Sequence, residues 1–294
     1  MRLYKTELYK ICHRKLFVIG TLLTLSFPAL VYSRDLTGWV SFPTMYSAAM
    51  METGLLLLCL ISTVFSHEEQ TKVKSLLLTT PEGPARDIRA KIAAAYTVTI
   101  LLWLISTLNA LIFFSTDYGW TGLGLSVKDT LQSFNYHADY AVLMQPYGLY
   151  LAECIMISFL ASLELCAVTL AISARCRNTF HSLCASIFCA IMPVIAFFMM
   201  RGIYSHILYA SDHSKPAIMA MLFALSVIYF IVNCLIFSSP YYLVWPNILV
   251  EISGTAIRSH GETGTILFVV TLGCIITILC IIYSYRRYRE PYTD

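Results

Sequence analysis

The stretch SHEEQTKVKSLLLTTPEGPARDIRAK, residues 66–91, is a charged segment between two long apolar runs, 45–65 and 92–114. It carries five Lys or Arg, three Glu and one Asp, together with a Thr-Pro pair and a Gly-Pro pair. Apolar runs of about 20 residues are long enough to cross a bilayer as helices. A loop that only joins two such helices does not need this density of charges and turn residues. We therefore predict that the segment has a defined shape and binds a partner.

The composition of the whole chain indicates a helical membrane protein with several spans. Of its 294 residues, 58% are hydrophobic and only 13% are charged, whereas a soluble domain carries roughly a quarter charged residues. The apolar runs must be helices because lipid offers the backbone no hydrogen-bond partner. Most of the ten cysteines lie inside apolar runs, where they behave as small hydrophobic residues.

Apolar runs of suitable length predict six spans, which cover residues 16–33, 46–65, 92–114, 147–172, 183–200 and 264–284. With both termini in the cytoplasm, fifteen of the twenty Lys and Arg lie on the cytoplasmic side, as the positive-inside rule requires. A further apolar stretch, 217–238, would place the arginine-rich C-terminal tail outside if it crossed fully. We therefore interpret this stretch as re-entrant.

The chain is predicted to be a single transmembrane domain, 1–294, with four segments outside the spans. Residues 1–15 are basic and amphipathic, and we interpret them as a helix on the inner leaflet with Glu7 and Lys10 on its polar face. Simple positive flanking charge for the first span explains this segment equally well. The other three are the cytoplasmic segment 66–91, an extracellular loop at 115–146 and an outer re-entrant region at 201–262.

Four polar residues are predicted at membrane depth and are candidates for a translocation path: Glu52, Asn109, Glu153 and Glu164. Ionisable groups are costly in the membrane and commonly mark a substrate or proton path. Glu153 and Glu164 are eleven residues apart and so share one face of a helix. Interhelical hydrogen bonding, worth about 0.6 kcal/mol per contact, explains such residues as well. Both interpretations stay open.

The sequence contains no GxxxxGK[ST] phosphate loop, no GxSxG elbow and no HExxH motif. The seven histidines are scattered, without the spacing of metal ligands. We therefore expect no catalytic residue, no metal site and no nucleic-acid partner on this chain.

Thr80 precedes Pro81 and Glu82, which together are typical of a helix start. The threonine suits the N-cap, proline the first helical position and an acid the first turn. We predict a short helix from about Pro81 towards Lys91, which lies across the cytoplasmic ends of the spans and leads into the third.

Residues 65–91 resemble the cytoplasmic loop of the permease subunits of type-2 ABC exporters. That family has an acid after the second span, then Gly-Thr, Leu-Leu, a Thr-Pro turn, Gly-Arg and Ala-Lys. The matching residues here are Glu68, Leu77, Leu78, Thr80, Pro81, Gly83, Ala90 and Lys91. Lys72 stands in place of the first glycine and Pro84 in place of the arginine, with Arg86 two residues later.

The resemblance implies an all-α membrane protein with six transmembrane helices, an N-terminal elbow helix, a cytoplasmic coupling helix and re-entrant helices before the last span. It also implies a homo- or heterodimer that pairs with two separate P-loop ATPase subunits. Those subunits would bind ATP and Mg and perform the hydrolysis, so that this chain is not itself an enzyme. The residues it assigns to contact with the ATPase are Glu68, Glu69, Leu77, Leu78, Thr80, Pro81, Gly83, Arg86 and Lys91.

The function predicted in this way is export across a bacterial plasma membrane by alternating access. The expected substrate is amphipathic or hydrophobic, such as a peptide antibiotic, a lipid or a drug. The alternative is a stand-alone proton-coupled secondary transporter that uses the intramembrane glutamates, although the internal repeats common in such proteins are not evident in the sequence. A third class, an intramembrane enzyme, has only Glu164 as a candidate group.

Overall fold

A computed structural model describes residues 2–31, 42–67, 83–120, 122–126, 146–191 and 261–289. Within these ranges the chain forms seven helices and no strand. The helices are α1 (Arg2–Cys12), α2 (Lys15–Val31), α3 (Phe42–Ile61), α4 (Gly83–Tyr118), α5 (Tyr147–Arg175), α6 (Thr179–Ile191) and α7 (Gly261–Arg289). The prediction of an all-α fold is confirmed for this part of the chain.

Three of the described helices are long and apolar enough to cross a membrane, over Ala85–Thr116, Tyr147–Arg175 and Val270–Tyr288. The chain is therefore a membrane protein. Three shorter apolar stretches lie in α2, α3 and α6, over Lys15–Ser26, Ala48–Ile61 and Thr179–Ile191. Six spans stay a prediction. Most of the predicted loop 115–146 and nearly all of the predicted re-entrant region 201–262 lie outside the described residues.

The third span differs from the prediction at its beginning. Instead of a separate short helix across the ends of the spans, the chain from Gly83 runs without interruption to Tyr118 as the 36-residue helix α4. Residues 85–118 contain neither glycine nor proline, and their first turns are rich in alanine, arginine and lysine. These residues favour a helix, so nothing in the sequence breaks it where the charged segment ends and the apolar run begins.

The helices α3, α4 and α5 form the centre of the described structure, because all three contribute to two groups of buried apolar side chains. One group includes Phe65 and Leu102, and the other includes Phe42 and Phe114. Around this centre, α1 packs against α4, α2 packs against α3 and α4, and α7 packs mainly against α5. The helices α2 and α3 approach closely at Gly20, where any Cβ atom would overlap Leu56.

The N-terminal helix packs against the rest of the bundle. In α1, Ile11 is buried and the hydroxyl of Tyr4 hydrogen-bonds that of Thr97 on α4, with an O···O distance of 2.9 Å. Glu7 is only 6% exposed, so its assignment to a solvated polar face is wrong. The reason is a buried cation on α4, described below.

Hydroxyl groups hold the turn that follows α3. The Oγ of Ser173 on α5 accepts hydrogen bonds from the backbone N–H groups of Phe65 and Ser66, at 3.1 and 3.2 Å. The hydroxyl of Ser182 at the start of α6 donates to the carbonyl of Ser62 at 2.6 Å. Backbone groups beyond a helix end need such partners when they are buried. The first residues of the segment 66–91 are therefore fixed to α5 and α6.

The serine at position 173 offers a test of this attachment. Ser173→Ala is expected to lower the free energy of unfolding by about 1–3 kcal/mol, because two buried N–H groups lose their acceptor. Ser186 on α6 is the matched control, since it is 1% exposed and its Oγ has no hydrogen-bond partner among the described residues. Ser186→Ala should cause no comparable loss, because no hydrogen-bonded group is left without its partner. Unfolding in detergent micelles measures both, and equal losses would contradict the assignment.

Candidate functional site

The segment 66–91 is described at its two ends, 66–67 and 83–91. Six of the nine residues predicted to contact an ATPase lie outside the described residues: Glu68, Glu69, Leu77, Leu78, Thr80 and Pro81. Of the other three, Gly83 begins α4, Arg86 is exposed and Lys91 is fully buried. The described part of the site consists of the two places where the segment contacts the rest of the protein.

A buried ion pair lies at the centre of the second attachment. Lys91 Nζ is 2.5 Å from Asp87 Oδ2, one turn earlier in α4, and the Lys91 side chain has no exposed surface. A second carboxylate comes from α1, where Glu7 Oε2 is 3.8 Å from the same Nζ. A buried ammonium group requires partners of this kind, because removing it from water is costly.

Tyr288 on α7 completes this site. Its hydroxyl donates a long hydrogen bond of 3.4 Å to Asp87 Oδ2, and its ring lies 4.9 Å from the ring of Phe65. We refer to Glu7, Asp87, Lys91 and Tyr288 as the basal cluster. The cluster joins α1, α4 and α7, and through Phe65 it also contacts the chain that follows α3.

A second lysine contacts the basal cluster. Lys10, one turn after Glu7 on α1, brings a second cation, with Nζ 2.5 Å from Glu7 Oε1. Two carboxylates therefore face two ammonium groups, one of them buried and the other half-exposed. Arg14, just after α1, donates hydrogen bonds to the hydroxyl of Thr63 and to the carbonyl of Leu60. Burial lowers the pKa of this guanidinium below its ordinary value.

Two of the four residues predicted for a translocation path meet at Thr24 on α2. The Thr24 hydroxyl is 3.1 Å from Glu52 Oε1, which accepts its hydrogen bond. The Asn109 amide donates to the carbonyls of Thr24 and Leu25, both at 3.0 Å. These contacts join α2 to α3 and α4, which is how interhelical hydrogen bonds act in membranes. Glu52 Oε2 is buried without a hydrogen-bond partner among the described residues.

The other two candidates, Glu153 and Glu164, lie on α5. Glu164 is 5% exposed and packs against Gly273 on α7, where a Cβ atom would lie 3.2 Å from Glu164 Oε2. The glycine thus makes room for the carboxylate between the two helices. Glu164 Oε1 has no hydrogen-bond partner in the described part of the chain. Glu153, three turns earlier, is half-exposed.

The sequence did not predict a network of hydrogen-bonded side chains in the centre of the bundle. The hydroxyl of Tyr46 on α3 hydrogen-bonds those of Ser158 on α5, at 2.5 Å, and Thr107 on α4, at 3.0 Å. The indole N–H of Trp103 also donates to Ser158, at 3.0 Å. Hydroxyl residues in apolar helices commonly bond their own backbone, so the sequence carries no signal that distinguishes these four.

Sequence reasoning also missed Glu7, Asp87 and Tyr288 as site residues. The sequence offered a signal for the pair of Asp87 and Lys91 alone, because opposite charges four residues apart lie on one face of a helix. No comparable signal connects Glu7 with Lys91, which are distant in sequence. Among the described residues, no group of His, Cys, Asp and Glu side chains could hold a metal ion.

The chain matches no family model, no curated protein and no solved structure. The described fold and site therefore identify the general class of this protein but not its family. The chain is a helical membrane protein whose charged segment is attached at both ends through buried polar groups.

Removal of the buried cation tests the basal cluster. Lys91→Met is expected to lower the free energy of unfolding by about 3–5 kcal/mol, because Asp87 and Glu7 lose the charge that compensates them. Combining it with Asp87→Asn should recover part of the loss, since the two positions interact directly. Thermal unfolding in detergent is a suitable measurement. Arg86→Met, at an exposed position of the same helix, is the control, and a loss as large as that of Lys91→Met would rule out this role for the cluster.

Proposed function

We propose that the chain is the membrane-spanning permease subunit of an ATP-driven type-2 ABC exporter in a bacterial plasma membrane. Two separate P-loop ATPase subunits hydrolyse ATP, and a second permease subunit, identical or different, completes the translocation path. Six spans with both termini in the cytoplasm carry an amphipathic or hydrophobic substrate outward. The resemblance of residues 65–91 to the coupling loop of that family supports this function.

The observation that carries the proposal is the attachment of the segment 66–91 at both of its ends by buried polar contacts. At its beginning, Ser173 accepts the N–H groups of Phe65 and Ser66. At its end, Lys91 contacts Glu7 on α1, and Asp87 accepts a hydrogen bond from Tyr288 on α7. A segment that receives force from a soluble partner requires rigid attachments, because densely packed interiors transmit displacement and loose ones absorb it.

The basal cluster and α4 would together transmit a displacement of the segment 66–91 to the other helices. Because α4 is continuous from Gly83 to Tyr118, movement of its first turn moves the whole helix. The contacts of Lys91 with Glu7 and of Asp87 with Tyr288 would pass the movement to α1 and α7. Exposed Arg86 is available to the ATPase, whereas Lys91 acts by holding the cluster together. Rigid-body movement of packed helices is a common basis of such transitions.

Charge reversal in the coupling segment tests this function. Glu68→Lys, or replacement of the turn at 80–83, is expected to abolish coupling without unfolding the spans, because these residues form the ATPase contact. Asp129→Lys in the outer loop makes the same charge change on the other side of the membrane and should leave coupling intact. The measurements are co-purification with a P-loop ATPase encoded beside this gene, and ATP turnover by the complex in vesicles. An ATPase complex of Glu68→Lys with wild-type turnover would contradict the coupling role.

Buried carboxylates favour a second candidate, the proton-coupled secondary transporter. Glu52 and Glu164 each have a buried carboxylate oxygen without a partner among the described residues, which is a feature of proton-binding groups as well as of structural ones. This candidate predicts proton flux into vesicles that contain the chain alone, driven by a pH gradient and lost in Glu164→Gln. Flux that requires the ATPase and ATP would exclude it.

A further inference from the structure

A groove on the outer surface of the bundle lies between the first turns of α4 and the last turns of α7. It has a volume of about 380 Å³, and its wall is mostly apolar. The lining residues are Arg89, Ile92, Ala93, Ile281, Ile282, Tyr285 and Arg286. Arginines thus lie at one end of an aliphatic surface, and no acidic residue lines the groove among those described.

The two arginines point away from the basal cluster, although they belong to the same turns. On α4, Asp87 and Lys91 are buried whereas Arg89 is exposed. On α7, Tyr288 is buried whereas Arg286 is exposed. Among the described residues, neither Arg89 nor Arg286 forms an ion pair with a carboxylate. The groove therefore offers two guanidinium groups to a ligand.

The position of the groove indicates the environment of that ligand. The helices α4 and α7 are both candidate membrane spans, and the apolar wall residues lie within those stretches. The end of the bundle that contains the groove is rich in arginine. Arg175, the last residue of α5, also lies at this end, two residues after Ser173. Positive charge of this kind marks the cytoplasmic membrane interface. The groove thus extends from the headgroup region into the hydrocarbon.

We propose that this groove binds an anionic phospholipid of the inner leaflet. The phosphate oxygens would lie between Arg89 and Arg286, because guanidinium groups bind phosphate through paired, charge-assisted hydrogen bonds. An acyl chain would follow Ile92, Ala93 and Ile282 along the groove. Basic pockets between membrane helices on the cytoplasmic side are suited to such headgroups. The bound lipid would join α4 to α7 from outside, opposite the contact of Asp87 with Tyr288.

The experiment compares phosphatidylglycerol with phosphatidylcholine as ligands of the purified full-length chain. Lipid retention by native mass spectrometry gives an affinity, and thermal unfolding gives an independent readout, because a ligand that binds only the folded state stabilises it. We expect retention of phosphatidylglycerol and a higher Tm in its presence, with neither effect for phosphatidylcholine. Each of Arg89→Gln and Arg286→Gln should weaken binding about fivefold, and the double variant about thirtyfold.

Two further variants separate this site from general attraction between charges. Ala93→Trp fills the groove at an exposed position without altering its charge, and should also abolish the phosphatidylglycerol effect. Arg175→Gln removes an exposed arginine at the same end of the bundle and should bind like the wild type. Wild-type affinity in either Arg89→Gln or Ala93→Trp would overturn the proposal, as would an equal loss in Arg175→Gln. Competition by soluble glycerol phosphate alone would overturn the lipid assignment in favour of a free anion.

Discussion

Lys91 can be buried only because two carboxylates accompany it, and much of the described structure follows from this requirement. Asp87 supplies the first carboxylate from the same helix, but Glu7 must come from α1. The N-terminal helix is therefore packed against α4 rather than free to lie anywhere on the membrane surface. Tyr288 adds α7 to the same site. An apolar residue at position 91 would impose none of these constraints on α1.

Neutral polar contacts between the apolar helices also join them, with a smaller desolvation cost than the buried ion pair. The hydroxyls of Tyr46, Ser158 and Thr107 join α3, α4 and α5, and the carbonyls around Thr24 receive Asn109. Such contacts carry little desolvation cost because the groups are neutral, and each contributes modestly. Glu164 differs, since its carboxyl group is buried at Gly273 with one oxygen unpartnered among the described residues. Glu52 shares this feature, since its Oε2 also lacks a partner there.

The proposed coupling role and the proposed lipid site use opposite faces of the same two helices. On the inner faces of α4 and α7, Asp87 and Tyr288 lie against one another. On the outer faces, Arg89 and Arg286 border the groove. A helix pair held from both faces moves as one unit. The lipid would then stabilise the same pair of helices through which the proposed coupling displacement passes, without contact with the ATPase.

Composition and hydropathy determined that this is a helical membrane protein, because lipid leaves long apolar runs no other backbone structure. They also located the charged segment 66–91. Tertiary structure decided the rest. Glu7 looks like a surface residue on a helical wheel, yet it is buried beside Lys91. A helical wheel cannot predict this contact, because Lys91 lies more than eighty residues away in the sequence. Arg89 and Arg286 line one groove because α4 packs against α7, which local sequence does not encode.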